Sequence, residues 1–125
     1  MKQVISTKNA PAAIGPYSQA ILSNGTLYAS GQIPINPQSG NIEGTNIVDQ
    51  TKQVMENIGN LLKEAGFTYD DIVKTTVFIS DMALFGEFNE TYKGYFNQTF
   101  PARSCVAVKG LPKNALLEIE CIACK

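Results

Sequence analysis

The chain contains no histidine and no tryptophan among its 125 residues. The missing imidazole removes Ser-His and Cys-His nucleophile pairs, His metal ligands and the side chain best suited to proton transfer near neutrality. Catalysis, if present, rests on carboxylates, Tyr, Cys, Lys, Arg, hydroxyls, backbone groups or water. Basic excess is also missing. Ten Lys and Arg against eleven Asp and Glu leave a net charge of −1, which argues against a nucleic-acid partner. No apolar run approaches the roughly 20 residues of a membrane span. The opening "MKQVISTKNAPAAIGPY" has no apolar stretch of signal-peptide length. Only three cysteines occur, Cys105, Cys121 and Cys124. Without an export signal they read as reduced thiols in a cytoplasmic protein.

What is present is a 44% apolar, 17% charged composition, which fits one globular domain over residues 1–125. "SNGT" predicts a hairpin. Asn24-Gly25 favours a type I′ turn between strands at 18–23 and 26–31. Residues 34–44 read as a loop. Ile47, Val54, Ile58, Leu61, Leu62 and Ala65 recur at helical spacing, with Gly66 as C-cap. A strand at 71–79 places Val73, Thr75, Val77 and Ile79 on one face. A helix at 82–96 follows, capped by Asp81, with Met82, Phe85, Phe88, Tyr92 and Phe96 as its stripe. Strands at 103–109 and 116–123 end the chain, joined through "GLPKN".

This order predicts an α+β sandwich, a sheet with two helices on one face. In the last strand, Leu117, Ile119, Cys121 and Ala123 face the helices. Leu116, Glu118, Glu120 and Ile122 are too apolar for free surface and too polar for a dry core. A second copy covering that face is the simplest account, and it predicts a homo-oligomer.

If the last two strands form a hairpin with Cys105 opposite Glu118, then Arg103, Cys105, Glu118 and Glu120 share one face. A one-residue slip separates them. In that register Arg103 meets either a protein carboxylate in a salt bridge or a ligand carboxylate. Glu118 is either a solvated or Arg-paired strand residue, or an acid–base or water-positioning group. Tyr17, in "GPY", is an interfacial aromatic or a ligand hydroxyl. Ser30-Gly31 in "YASGQ" marks a bulge or a close backbone approach to a ligand. Asn89 caps a loop or hydrogen-bonds a ligand. Cys105 is a buried thiol, or a nucleophile if Arg103 lowers its pKa. "CIAC" on a strand sends its two sulfurs to opposite faces, and no second pair completes a zinc site.

"NAPAAIGPYSQA", "LYASGQIPINPQSG", "KTTVFISDM" and "FPARSCVAVKGLPKNALLEIECIA" together resemble the Rid/YjgF family of reactive-intermediate deaminases, over essentially the whole chain. The resemblance implies a chorismate-mutase-like homotrimer with a central β-barrel and a cleft between each pair of subunits. It implies hydrolysis of 2-imino acids and their enamine tautomers to 2-keto acids and ammonia, without metal or cofactor. By matching motifs, Arg103 holds the substrate carboxylate and Glu118 positions the attacking water. Tyr17, Ser30, Gly31, Asn89 and Cys105 line the cleft. A non-enzymatic carboxylate-binding or regulatory module is the alternative. The ribonuclease or translation-inhibitor activity ascribed to some relatives fits less well with the acidic balance and the missing histidine.

Overall fold

Eight strands and two α-helices follow the chain, and the structure, a computed structural model, describes residues 1–125. An unforeseen first strand, β1 (Lys2–Ile5), pairs with β2 (Ala20–Ser23), which turns into β3 (Thr26–Gln32). Asn24 and Gly25 take φ of 51° and 79°, the twin positive values that a type I′ turn requires. The expected loop at 34–44 contains a short hairpin of β4 (Ile35–Asn36) and β5 (Asn41–Ile42).

Helix α1 (Ile47–Ala65) is bounded by local chemistry. The Asn46 side chain accepts from the Asp49 N–H at its start, and Gly66 at φ 84° closes it with its N–H on the last carbonyls. β6 (Ile72–Ile79) leads to α2 (Phe85–Tyr92), then β7 (Ala102–Ala107) and β8 (Leu117–Cys124). The second helix is shorter than its apolar stripe suggested. Residues 82–84 and 93–95 are 3₁₀ turns. Asp81 caps the first of them, accepting from the Ala83 N–H at 2.9 Å. Three residues per turn rotate Met82 off the stripe, and it is exposed, whereas Phe88, Tyr92 and Phe96 are buried.

The sheet order is β1-β2-β3-β8-β6-β7, antiparallel except for the parallel β6–β7 pair. Both helices lie on one face, as predicted. Leu27, Val54, Met55, Ile58, Val77, Phe88, Leu117 and Ile119 form the centre of the core, each contributing roughly 1.5–3 kcal/mol by leaving water. Val73 is exposed rather than core-facing. It is the extra residue of a bulge, since Ile72 pairs with Ala123 and Lys74 with Ile122, and Ile72 takes the inward position.

The expected C-terminal hairpin does not form. β8 inserts between β3 and β6, while β7 takes the outer edge of β6. The "GLPKN" segment does reverse the chain, but it carries it across the end of β6 before β8 begins. Arg103 pairs with Thr75, which pairs with Cys121; Cys105 pairs with Val77, which pairs with Ile119. Arg103 and Cys105 therefore sit on the helix-covered face. Glu118 pairs with Phe78, which pairs with Val106, on the opposite face. There no helix covers Tyr28, Phe78, Val106 and Ile122, which alternate with Lys74, Thr76, Glu118 and Glu120.

Candidate functional site

The seven residues singled out from the sequence fall into two groups, one on each face of the sheet. The first is built by β7 and α2. Arg103 projects from β7 onto the aromatic ridge of α2, and its guanidinium carbon lies 5.3, 5.7 and 5.1 Å from the ring centres of Phe85, Phe88 and Tyr92. These rings recur at i, i+3 and i+7, so one helix face supplies the whole cradle. Asn89 fixes the fork. Arg103 Nη1 donates to Asn89 Oδ1 at 2.8 Å. Tyr92 is itself held by a buried 2.8 Å hydroxyl–hydroxyl hydrogen bond to Thr75. An open cavity of about 400 Å³ in front of Arg103 is walled by Asn89, Tyr92, Phe100 and Pro101.

No carboxylate reaches Arg103. The only ion pair within 4 Å in the chain is Lys93–Glu90, so the salt bridge to Glu118 or Glu120 is absent. A half-buried guanidinium with one neutral partner keeps most of its five N–H groups for something else. Cys105 lies two residues along the same face. Burial pushes its thiol pKa up, against a smaller lowering by Arg103, so the arginine does not make it a thiolate.

The second group is built around a bulge in β3. Ala29 pairs with Cys121 and Gln32 with Ile119, leaving Ser30 and Gly31 opposite the single residue Glu120. The Ser30 N–H donates to the Gln19 carbonyl at 2.9 Å and its hydroxyl to the Ser18 carbonyl at 2.6 Å. Both ties lash the bulge to the segment carrying Tyr17. The bulge turns Gly31 toward Glu118. A Cβ on Gly31 would overlap Glu118 Oε2 and stand 2.7 Å from Glu118 Cδ, so glycine is what lets the carboxyl lie flat on the strand. Burial raises the Glu118 pKa above its ordinary value, and neighbouring Glu120 raises it further. Tyr17, Ser30, Gly31 and Glu118 line one cleft of about 540 Å³.

Thus the structure joins Arg103 to Asn89, with Cys105 alongside, and separately joins Tyr17, Ser30, Gly31 and Glu118. The single-face cluster of Arg103, Cys105, Glu118 and Glu120 is corrected, because inserting β8 beyond β6 reverses the side on which the acids emerge. Sequence reasoning read Phe85, Phe88 and Tyr92 only as a core stripe; an arginine on the strand beside an aromatic helix was the available signal. It also passed over Gln19, buried at 4% exposure. The Gln19 amide accepts from the Thr7 N–H and donates to the carbonyls of Thr7, Ala10 and Pro11, which pins the base of the Tyr17 segment. Cys121 is buried and Cys124 exposed, as strand alternation requires. No helix is long and apolar enough to cross a membrane.

A mixed sheet carrying two helices on one face, with an arginine free of any ion pair and a half-buried carboxyl in separate clefts, defines an α+β protein with two candidate ligand clefts. The endoribonuclease L-PSP family profile matches residues 7–125. The chain is 54% identical over 121 residues to AldR of Lactococcus lactis, named as a candidate regulator, covering 97% of this chain and 96% of that protein. It is 47% identical over 123 residues to the 2-iminobutanoate/2-iminopropanoate deaminase of Mus musculus, covering 98% and 91% of the two chains. A crystal structure of a Yersinia pestis protein of the Rid family superposes with a TM-score of 0.97 at 56% identity, covering 100% of both chains. The chain belongs to this family, the Rid/YjgF proteins.

Proposed function

We propose that the protein is a hydrolytic deaminase of 2-imino acids, and that its active site forms between subunits of a homotrimer. The observation that carries this reading is Arg103: half-buried, oriented by Asn89 and three aromatic rings, and without a carboxylate of its own. Such a fork is complementary to a ligand carboxylate. Its position on the face opposite Glu118 supports a site made by two chains, in which Arg103 of one subunit faces Glu118, Gly31 and Tyr17 of the next. The uncovered sheet face bearing Tyr28, Phe78, Val106 and Ile122 supplies an apolar surface for that assembly. The similarity to the mouse deaminase supplies the substrate class.

In this mechanism Arg103 grips the substrate carboxylate and holds the C=N carbon near a water at Glu118. The imine nitrogen is protonated, and water adds to the carbon as Glu118 accepts its proton. The resulting carbinolamine collapses as that proton passes to nitrogen and the carbinolamine hydroxyl gives its own proton back to Glu118. The C–N bond breaks, ammonia leaves and the 2-keto acid remains. One carboxyl serves both halves, and a pKa raised by burial and by Glu120 makes it a better proton acceptor than an ordinary glutamate. Cys105, a neutral thiol, forms no bond to substrate. The test is to generate 2-iminopropanoate and 2-iminobutanoate in situ with an amino-acid oxidase and follow keto-acid release. Acceleration by wild type that is lost in Arg103→Ala and Glu118→Ala is the expected result. No acceleration by the assembled wild-type protein would overturn the reading. The similarity to AldR then favours a carboxylate-binding regulator, for which Arg103 serves equally well and Glu118 is dispensable.

A further inference from the structure

The segment that carries the chain across the end of β6 contains a second cation with no assigned role. Lys113 and Asn114 both take φ of 56°. With the Ala115 N–H donating to the Pro112 carbonyl at 3.1 Å, they form a tight turn of the I′ kind. This chain already shows what residues such a turn favours, because the hairpin turn before β3 is built from Asn24 and Gly25 at φ of 51° and 79°. At Lys113 a long side chain occupies the position that Asn or Gly fills there. A non-glycine, non-asparagine residue in the left-handed region costs about 1–2 kcal/mol, and strain of this sort collects at functional sites.

The strained turn forms part of the wall around Glu118. Pro112 and Lys113 line the same cleft as Tyr17, Gly31 and Glu118. Yet Lys113 makes no ion pair within 4 Å. Lys113 is therefore an exposed residue on the wall of the cleft, and its charge is not neutralised by an ion pair. In the assembled site it would stand on the Glu118 side, across the substrate from Arg103.

We propose that Lys113 is a second anion subsite, which binds the distal carboxylate of 2-imino dicarboxylic acids while Arg103 holds the carboxylate next to the imine carbon. This rests on the deaminase reading for the role of the cleft, but binding alone tests it. It commits to the homologues of the small imino acids that carry an acidic side chain, with one cation at each end of the ligand.

Lys113→Asn is the informative variant, since it restores favoured turn chemistry as it removes the charge. Stability should rise in thermal melts. Binding of 2-oxoglutarate and 2-oxobutanoate, stable product-like ligands, is measured by calorimetry at low and at physiological salt, together with turnover of 2-iminoglutarate and 2-iminopropanoate. Wild type should bind 2-oxoglutarate about tenfold more tightly than 2-oxobutanoate, and Lys113→Asn should remove that preference while leaving 2-oxobutanoate within about twofold. An unchanged ratio in the variant overturns the subsite. So does a loss that is equal for both ligands and disappears with salt, because that is long-range attraction rather than a contact. If 2-iminopropanoate is turned over but the dicarboxylate is not preferred, the subsite falls and the deaminase stands. If nothing is turned over but the preference and its loss are seen, the subsite stands and the deaminase falls.

Discussion

Adding one methyl group at Gly31 tests the assignment of Glu118 with little disturbance elsewhere. An alanine Cβ would stand 2.7 Å from Glu118 Cδ and 3.0 Å from Cγ, and would overlap Oε2. Ordinary carbon contacts lie near 3.5–4.0 Å, so the carboxyl must retreat by about 1 Å. The obstacle is the far end of a flexible side chain, and Gly31 is not among the glycines with positive φ. The backbone therefore accepts alanine. The cost is one altered rotamer, about 0.5–1.5 kcal/mol. In catalysis a misplacement of 1 Å costs about 100-fold. Gly31→Ala should therefore fold and assemble with a melting temperature close to wild type, bind a keto acid through Arg103 with nearly unchanged affinity, and lose about 100-fold in kcat for 2-iminopropanoate. Full kcat in Gly31→Ala would refute the claim that Glu118 acts from its observed position. A large loss of stability would refute the claim that only the side chain yields.

Arg103→Lys keeps the charge but loses the planar fork and the Asn89 contact, so keto-acid affinity should fall at least tenfold by calorimetry, and a retained affinity would sink the bidentate role. Cys105→Ser should keep most activity, since burial holds the thiol neutral; abolished turnover in a folded oligomer would point to a covalent route. Activity that needs ionised Glu118 is lost as pH falls through its raised pKa, so the acid limb should lie at higher pH than that of an unperturbed glutamate. Glu120→Gln removes the second cause of that shift and should move the limb down, not up. Mixing Arg103→Ala and Glu118→Ala subunits, each inactive alone, should restore about a quarter of the sites if each site takes one residue from each of two neighbours; no restoration on proven mixing would place the site within one chain.

How much was legible in the sequence follows the range of the forces involved. Asn24-Gly25, Asp81, Gly66 and the spacing of Val54, Ile58 and Leu62 are local signals, and each appears where its chemistry placed it. The alternation of Leu117, Ile119, Cys121 and Ala123 also held, because one strand's two faces are fixed by its own pleat. What failed was adjacency. A turn sequence dictates that the chain reverses, but not whether another strand lies between the two arms. β8 pairs on both sides, with β3 and β6, so its backbone is hydrogen-bonded along both edges in the middle of the sheet, and β7 is left at the edge. The bulge at Val73 was hidden for the same reason: it corrects a register with β8 that the strand's own residues do not specify.

The failed hairpin is also what gives the site its meaning. Had β7 and β8 been neighbours in the expected register, Arg103 and Glu118 would have neutralised one another on one face, and each would have explained the other's presence. In the observed sheet they emerge on opposite faces. Arg103 is left with an amide and aromatic rings, and Glu118 with burial and a like charge. Each is electrostatically incomplete in a single chain, since a half-buried cation without an anion and a carboxyl pushed toward its neutral form both lack a counterpart. A fold gains no stability from that arrangement. A pair of subunits that apposes the two clefts gains a pocket with a cation at one end and a proton-exchanging group at the other, and neither is used up by the other until a ligand carboxylate arrives. In the intersubunit site proposed above, the separation of Arg103 from Glu118 within the chain is what would keep both available to a ligand.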